Sequence, residues 1–153
     1  MGRRRKQTGN QPAKDSVVVI NEQKDLSLKA ASVRRLIYFI LEKKQVAGRG
    51  ITVHLVSKRK ISLLHKHYFN DPSFTDCISV AFGGPFLGEV FVCPKVAIEY
   101  NPKDPFSETA LYIIHGILHL LGYDDRSAEG RRKMGREQMR LLTLVKRCPE
   151  ILF

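Results

Sequence analysis

One segment constrains the rest of the chain. From Leu111 to Leu121 it reads Leu-Tyr-Ile-Ile-His-Gly-Ile-Leu-His-Leu-Leu, apolar on every side of a helix. Such a helix has no face to offer water, so other elements must surround it. Its ends are marked. Asp104 can cap the start with Pro105 in the first turn, where a missing N–H is harmless, and Gly122 supplies the stop. His115 and His119 are four residues apart, so their imidazoles project from one side about a turn apart. Unpartnered in a core they would cost about 1–3 kcal/mol each. One metal ion would satisfy both.

The other segments read as elements able to cover that helix. Val17 to Ile20 and Ile51 to Val56 are β-branched runs, and Cys77 to Phe82 and Gly88 to Val92 are two further short strands separated by Gly83-Gly84-Pro85. A helix is expected from Ser27 or Leu28 to about Lys44, with Val33, Leu36, Ile37, Ile40 and Leu41 at helical spacing. A second runs from Lys58 to Tyr68 with Ile61, Leu64, His65 and Tyr68 on one face, before the turn Asn70-Asp71-Pro72-Ser73. A last helix, from about Ser127 to Lys146, turns Met134, Leu141, Leu142 and Val145 inward and Arg132, Arg136 and Arg140 outward. The expected fold class is α+β with α/β-type layers: a small mixed sheet of about four strands covered by helices, with the metal site on a central buried helix.

With 153 residues, 43% of them hydrophobic, the chain suits one domain. Residues 1–14 hold five basic side chains, no acid and few apolar groups, so they are expected to be a disordered basic tail ahead of a single domain over 15–153. The formal net charge is +11, and it is concentrated. The tail contributes +5, and Arg126 to Arg147 contributes +6 from eight basic residues and two acids. That asymmetry points to a polyanionic partner, nucleic acid before membrane, because no apolar face accompanies the basic tail. The start lacks the apolar stretch of a secretory signal, and the long uncharged run from Cys77 to Val92 is broken by Gly83-Gly84-Pro85, so a cytoplasmic protein without a membrane span is expected. Cys77, Cys93 and Cys148 are an odd number without CxxC spacing, which excludes a disulfide framework and a thiolate zinc site. The oligomeric state is not legible.

Around the histidine pair the frame is H-x-x-x-H-x-x-G-x-x-D. Gly122 can turn the chain back toward the pair, and Asp125, six residues after His119, arrives as a third ligand. The spacing matches a metzincin zinc site except in two places. Gly116 stands where a zinc peptidase carries its general-base Glu, which excludes that mechanism. Asp125 stands where a third His would be, a change that zinc tolerates.

His115-Gly116-Ile117-Leu118-His119-Leu120-Leu121-Gly122-Tyr123-Asp124-Asp125 resembles the HGxLHLxGYDH signature of the YbeY family of bacterial metal-dependent endoribonucleases, at ten of eleven positions. Thr75-Asp76-Cys77-Ile78-Ser79-Val80 is similar to that family's TDVLSF, and Gly88-Glu89-Val90 to its GD[IV] strand. The resemblance implies a zinc-dependent, single-strand-specific endoribonuclease domain acting in ribosomal RNA maturation, at the 16S 3′ end, and in ribosome quality control. Its implied partners are ribosomal RNA and ribosomal subunits. It implies one zinc ion on His115, His119 and Asp125, with His115 and Asp124 as catalytic candidates. Arg132, Arg136 and Arg140, outward on the last helix, are the candidate RNA contacts by charge and spacing. Asp124 could instead orient a ligand histidine. The arginine that the family carries ahead of its TD motif has no counterpart: Phe69 stands near its place, with Lys66 and Arg59 the nearby basic residues. A ribosome-associated RNA-binding protein with a structural metal and little nuclease activity is the alternative. His54, His65 and His67 are left outside the metal site, since a spacing of two points His65 and His67 apart on a helix.

Overall fold

The computed structural model describes residues 16–151, and the basic segment 1–14 lies outside them. The chain forms β1 (Val17–Asn21), α1 (Ala30–Lys43), β2 (Gly50–Leu55), α2 (Lys58–Phe69), β3 (Cys77–Ala81), β4 (Phe86–Val92), α3 (Pro94–Tyr100), α4 (Pro105–Leu120) and α5 (Ala128–Lys146). The four strands make one sheet in the order β1-β2-β4-β3. β1, β2 and β4 are parallel, and β3 returns antiparallel to β4. Parallel neighbours need long crossovers, and α1 supplies the one from β1 to β2. The expected mixed sheet covered by helices is the architecture found.

One face of the sheet carries the core. Val17, Ile51, Val53, Leu55, Val90 and Val92 pack against Leu36, Ile37 and Ile40 of α1 and Ile113, Ile114, Ile117 and Leu118 of α4, all buried. The pairing Val53↔Val90 and Leu55↔Val92 keeps these side chains on one face, because a slip of one residue would turn every one of them over. Truncating Ile117 to Ala would cost about 2–5 kcal/mol. α4 lies on β3 and β4, flanked by α3 and α5. On the opposite face α2 buries Ile61 against Ile78, Phe91, Val56 and Cys93.

Four details depart from the expectations drawn from sequence. α1 begins at Ala30 because Gln23 holds the preceding loop: its Nε2 donates to the Leu26 carbonyl at 2.8 Å, and its Oε1 accepts from the Leu26 N–H at 2.9 Å. α3 lacks any counterpart in the periodicity, since seven residues are too few to show one. Tyr68 faces solvent, because α2 covers only the β3–β4 side of the sheet and its last turn overhangs it. α4 is not enclosed all round: Leu111, His115 and His119 are half-buried along the stripe that neither the sheet nor α5 covers. The three cysteines are free thiols.

Candidate metal centre

α4 starts as its residues dictate, with the Asp104 carboxylate accepting from the Ser107 N–H at 3.1 Å and Pro105 in the first turn. It ends at Gly122, whose φ of +94° lies in the left-handed region that a side chain disfavours. The turn sends the chain back along the helix. The Tyr123 N–H donates to the Leu118 carbonyl at 3.0 Å, and Arg131 of α5 donates to the backbone carbonyls of Asp125 and Arg126 at 3.2 and 3.4 Å. This held loop brings Asp125 to the histidines. Its Oδ2 lies 3.4 Å from His119 Nε2 and 3.9 Å from His115 Nε2.

Both imidazoles are fixed from behind. His119 Nδ1 faces the Tyr123 carbonyl at 3.1 Å, and His115 Nδ1 faces the side-chain oxygen of Gln138 on α5. Each oxygen can only accept, so each contact calls for a proton on Nδ1, which in a neutral imidazole leaves Nε2 a lone pair. The two Nε2 atoms lie 3.0 Å apart. Two lone pairs facing each other beside a carboxylate repel unless a cation or a proton lies between them, and outer partners of this kind orient metal-binding histidines. The atoms that His115, His119 and Asp125 offer all lie within 4.8 Å of one another. Two neutral imidazoles and a carboxylate are a donor set that zinc accepts, with room for a further ligand. The residues present therefore fit a divalent ion.

The histidine side chains are each 29% exposed, so their need for partners comes from mutual approach at the floor of a cleft rather than from full burial. That cleft has a volume of about 650 Å³ and is walled by β3, by the start of the TD segment and by the Gly122 turn. Asp124 reaches neither histidine in any hydrogen bond or ion pair among the described residues. Its Oδ1 accepts from the Arg126 N–H at 2.8 Å, an Asx turn that holds the ligand loop. Arg132 and Arg136 are exposed along α5, without an ion-pair partner among the described residues. Arg140 is tied by two bonds to Glu137, at 2.5 and 3.0 Å.

Two residues without an assigned role in the sequence line the cleft: Asp76 and Arg126. In sequence Asp76 is only part of the TD motif, and Arg126 only part of a charge run. Phe69 lines the same cleft and is 59% exposed, whereas Lys66 and Arg59 are not among its walls. Position 116 also acquires a physical reason. A Cβ there would lie 2.4 Å from Val90 Cγ1 and 2.8 Å from Cys77 Sγ, so α4 can seat on the sheet only with glycine, and a peptidase glutamate has no space. His54 is occupied elsewhere, paired with Glu89 at 3.1 Å and stacked on Phe91, and His65 Nδ1 lies 3.1 Å from the Ser73 carbonyl.

A second set of contacts fastens this region to α1. The Lys44 ammonium donates to the Tyr123 hydroxyl at 2.6 Å and to Glu137 at 3.0 Å. Burial lowers the lysine's affinity for its proton, but the two hydrogen bonds and the Glu137 charge outweigh it and the net shift is upward. The hydrogen bonds from Arg140 act first on Glu137, burial opposes them, Lys44 adds to them, and the carboxyl is held down at about 2.

Comparison with known proteins returns a consistent family. Residues 18–146 match the family model described as Endoribonuclease YbeY. A protein named Endoribonuclease YbeY from Protochlamydia amoebophila (strain UWE25) is 38% identical, with 86% of this chain and 95% of the relative covered. One of the same name from Chlamydia pneumoniae is 32% identical, with 91% and 96% covered. The solution structure of TM1509 from Thermotoga maritima is similar in fold, with a TM-score of 0.57 and 25% identity over 88% of this chain and 94% of that one.

Proposed function

The chain belongs to the YbeY endoribonuclease family, and from that premise we propose that it cuts single-stranded RNA at the His115–His119–Asp125 centre with one zinc ion bound there. The observation that carries this reading is the orientation of both histidines, with each Nδ1 facing an oxygen acceptor and each Nε2 turned toward Asp125 in an open cleft. A divalent ion held by these three residues would polarise a phosphoryl oxygen and offset charge developing on it.

The remaining roles belong to the chain itself. Arg126, with its side chain 90% exposed at the rim of the cleft, is placed to meet a phosphate, a task that Phe69 cannot perform. Asp76 is a wall carboxylate outside the ligand set, and it is the group we assign to take a proton from the attacking hydroxyl or water. Asp124 acts through the loop by holding the Asx turn that presents Asp125. Gln138 and the Tyr123 carbonyl keep the imidazole protons on Nδ1.

The substrate is proposed to be ribosomal RNA, with maturation at the 16S 3′ end and ribosome quality control as the setting and ribosomal subunits as partners in the cytoplasm. Support comes from the concentration of the net charge in the first 14 residues and in Arg126 to Arg147. No described helix is long and apolar enough to cross a membrane. The test is cleavage of a ribosomal RNA fragment by protein of measured metal content, with and without chelator, beside His119→Ala. Cleavage that needs the metal and is lost in the variant is the expected result. Undiminished cutting by metal-free protein would overturn the reading.

A further inference from the structure

The metal cleft does not end at His115. A second cleft of about 590 Å³ adjoins it, and Thr75, Asp76 and His115 are walls of both. The two therefore form one groove through the metal centre, and its ends differ in chemistry. The first end carries Arg126. The second has no lysine or arginine among its walls: its charges are Asp76 and Glu108, and its aromatic surface is Phe74, Tyr100 and Tyr112.

These features select against one part of a nucleotide and for another. A phosphate would meet two carboxylates in a lining without lysine or arginine, an unfavourable environment for it. A nucleobase is neutral and flat, and it carries N–H donors. Tyr100 is 77% exposed, more than any other large hydrophobic side chain on the described surface, so a ring face is open to stacking. The Lys58 ammonium already lies over the Phe74 ring, 4.3 Å from its centre, which leaves Tyr100 as the platform and Phe74 as a side wall. Tyr112 is buried, and its hydroxyl ionises only above its ordinary range, through burial first and then the charges of Glu108 and Asp76.

We propose that this end of the groove is a nucleobase subsite, in which the base next to the cut stacks on Tyr100 and donates N–H groups to Glu108. Guanine, with two adjacent donors on one edge, matches a carboxylate best, and uracil, with one, matches it less well. The proposal rests on RNA being the ligand of the neighbouring centre.

Zinc-loaded protein tests it with single-stranded oligoribonucleotides carrying one abasic nucleotide at successive positions around the cut, with affinity read by fluorescence anisotropy and cleavage read separately. Removing the base at one flanking position should weaken binding about tenfold. Tyr100→Ala should weaken binding of the intact strand by a similar factor and be indifferent to base removal at that position. The side chain is on the surface, so the fold should be unaffected. Glu108→Gln should erase the preference for guanine over uracil there. A protein that cuts nothing yet shows this coupling keeps the subsite and loses the nuclease reading. Cleavage with equal losses on base removal in wild type and Tyr100→Ala overturns the subsite and leaves the nuclease reading intact.

Discussion

Gln138 on α5 and His115 on α4 are joined across the seam between the two helices, the imidazole Nδ1–H donating to the amide oxygen. The bond comes from a residue 23 positions later in the chain, and it decides which nitrogen of His115 is free. Gln138→Leu should therefore weaken zinc binding about 10–100-fold, the usual range for losing an outer partner of a ligand histidine. Gln138→Glu, which keeps an acceptor, should retain most of the affinity. Competition with a chromophoric chelator checks both, and equal affinity in the Leu variant would show the bond to be incidental.

Asp125 is the third member of the candidate metal site, brought to the two histidines by the loop. Asp125→Ala should lower zinc retention strongly, whereas Asp125→His should preserve or tighten it, since imidazole suits zinc as well as carboxylate does. Elemental analysis after dialysis measures the difference. Full occupancy in the Ala variant would transfer the third position to another group.

The arginine stripe is not uniform, because Arg140 is committed to Glu137 while Arg132 and Arg136 are not paired among the described residues. Replacing Arg132 and Arg136 together should weaken RNA binding across sequences and flatten the salt dependence, by about 0.7 in log–log slope for each single-strand phosphate that is no longer neutralised. Arg140→Ala should do less to the slope. Titrations at several salt concentrations check this, with metal content expected to stay constant. An unchanged slope in the double variant would reduce the stripe to a solvated face.

Glu137 gives a pH prediction. Its carboxyl is held down at about 2 in the fold by Arg140 and Lys44, against an ordinary value of about 4.3 in the unfolded chain. A depressed carboxyl stabilises the fold above the unfolded value, and that contribution fades as pH falls from about 4.3 toward 2. Because the group is partly solvated, the contribution is on the order of 1 kcal/mol. Urea unfolding of wild type and Glu137→Gln should differ at pH 7 and converge by about pH 2. A gap that persists at the acid end would place the stabilisation elsewhere.

What was legible in the sequence was what depends on local spacing. His115, His119, Gly122 and Asp125 lie within one turn and one loop, so the triad can be read from four positions. Ser127, which accepts from the Gly130 N–H at 2.9 Å, and Asp104 mark helix starts for the same reason. Long-range partners were not legible. Nothing in the neighbourhood of Gln138 announces that it faces His115, and Asp76 enters the groove only because β3 lies against α4. Lys44 reaches Tyr123 across 79 residues. The half-open stripe of α4 was also hidden, since a run of apolar residues does not say which side its neighbours leave bare.

The seat of Gly116 on Val90 and Cys77 also sets how this scaffold can diverge. A carboxylate at that position would require the helix to rise from the sheet, and the rise would carry both histidines away from a loop anchored through Arg131 and Tyr123. Peptide hydrolysis is therefore not one substitution distant, despite the shared spacing of the ligands. The groove rims, where Phe69, Tyr100 and Arg126 stand clear of the core, can change residue by residue. New substrate preferences are to be sought there, with the helix and its histidine pair passed on unaltered.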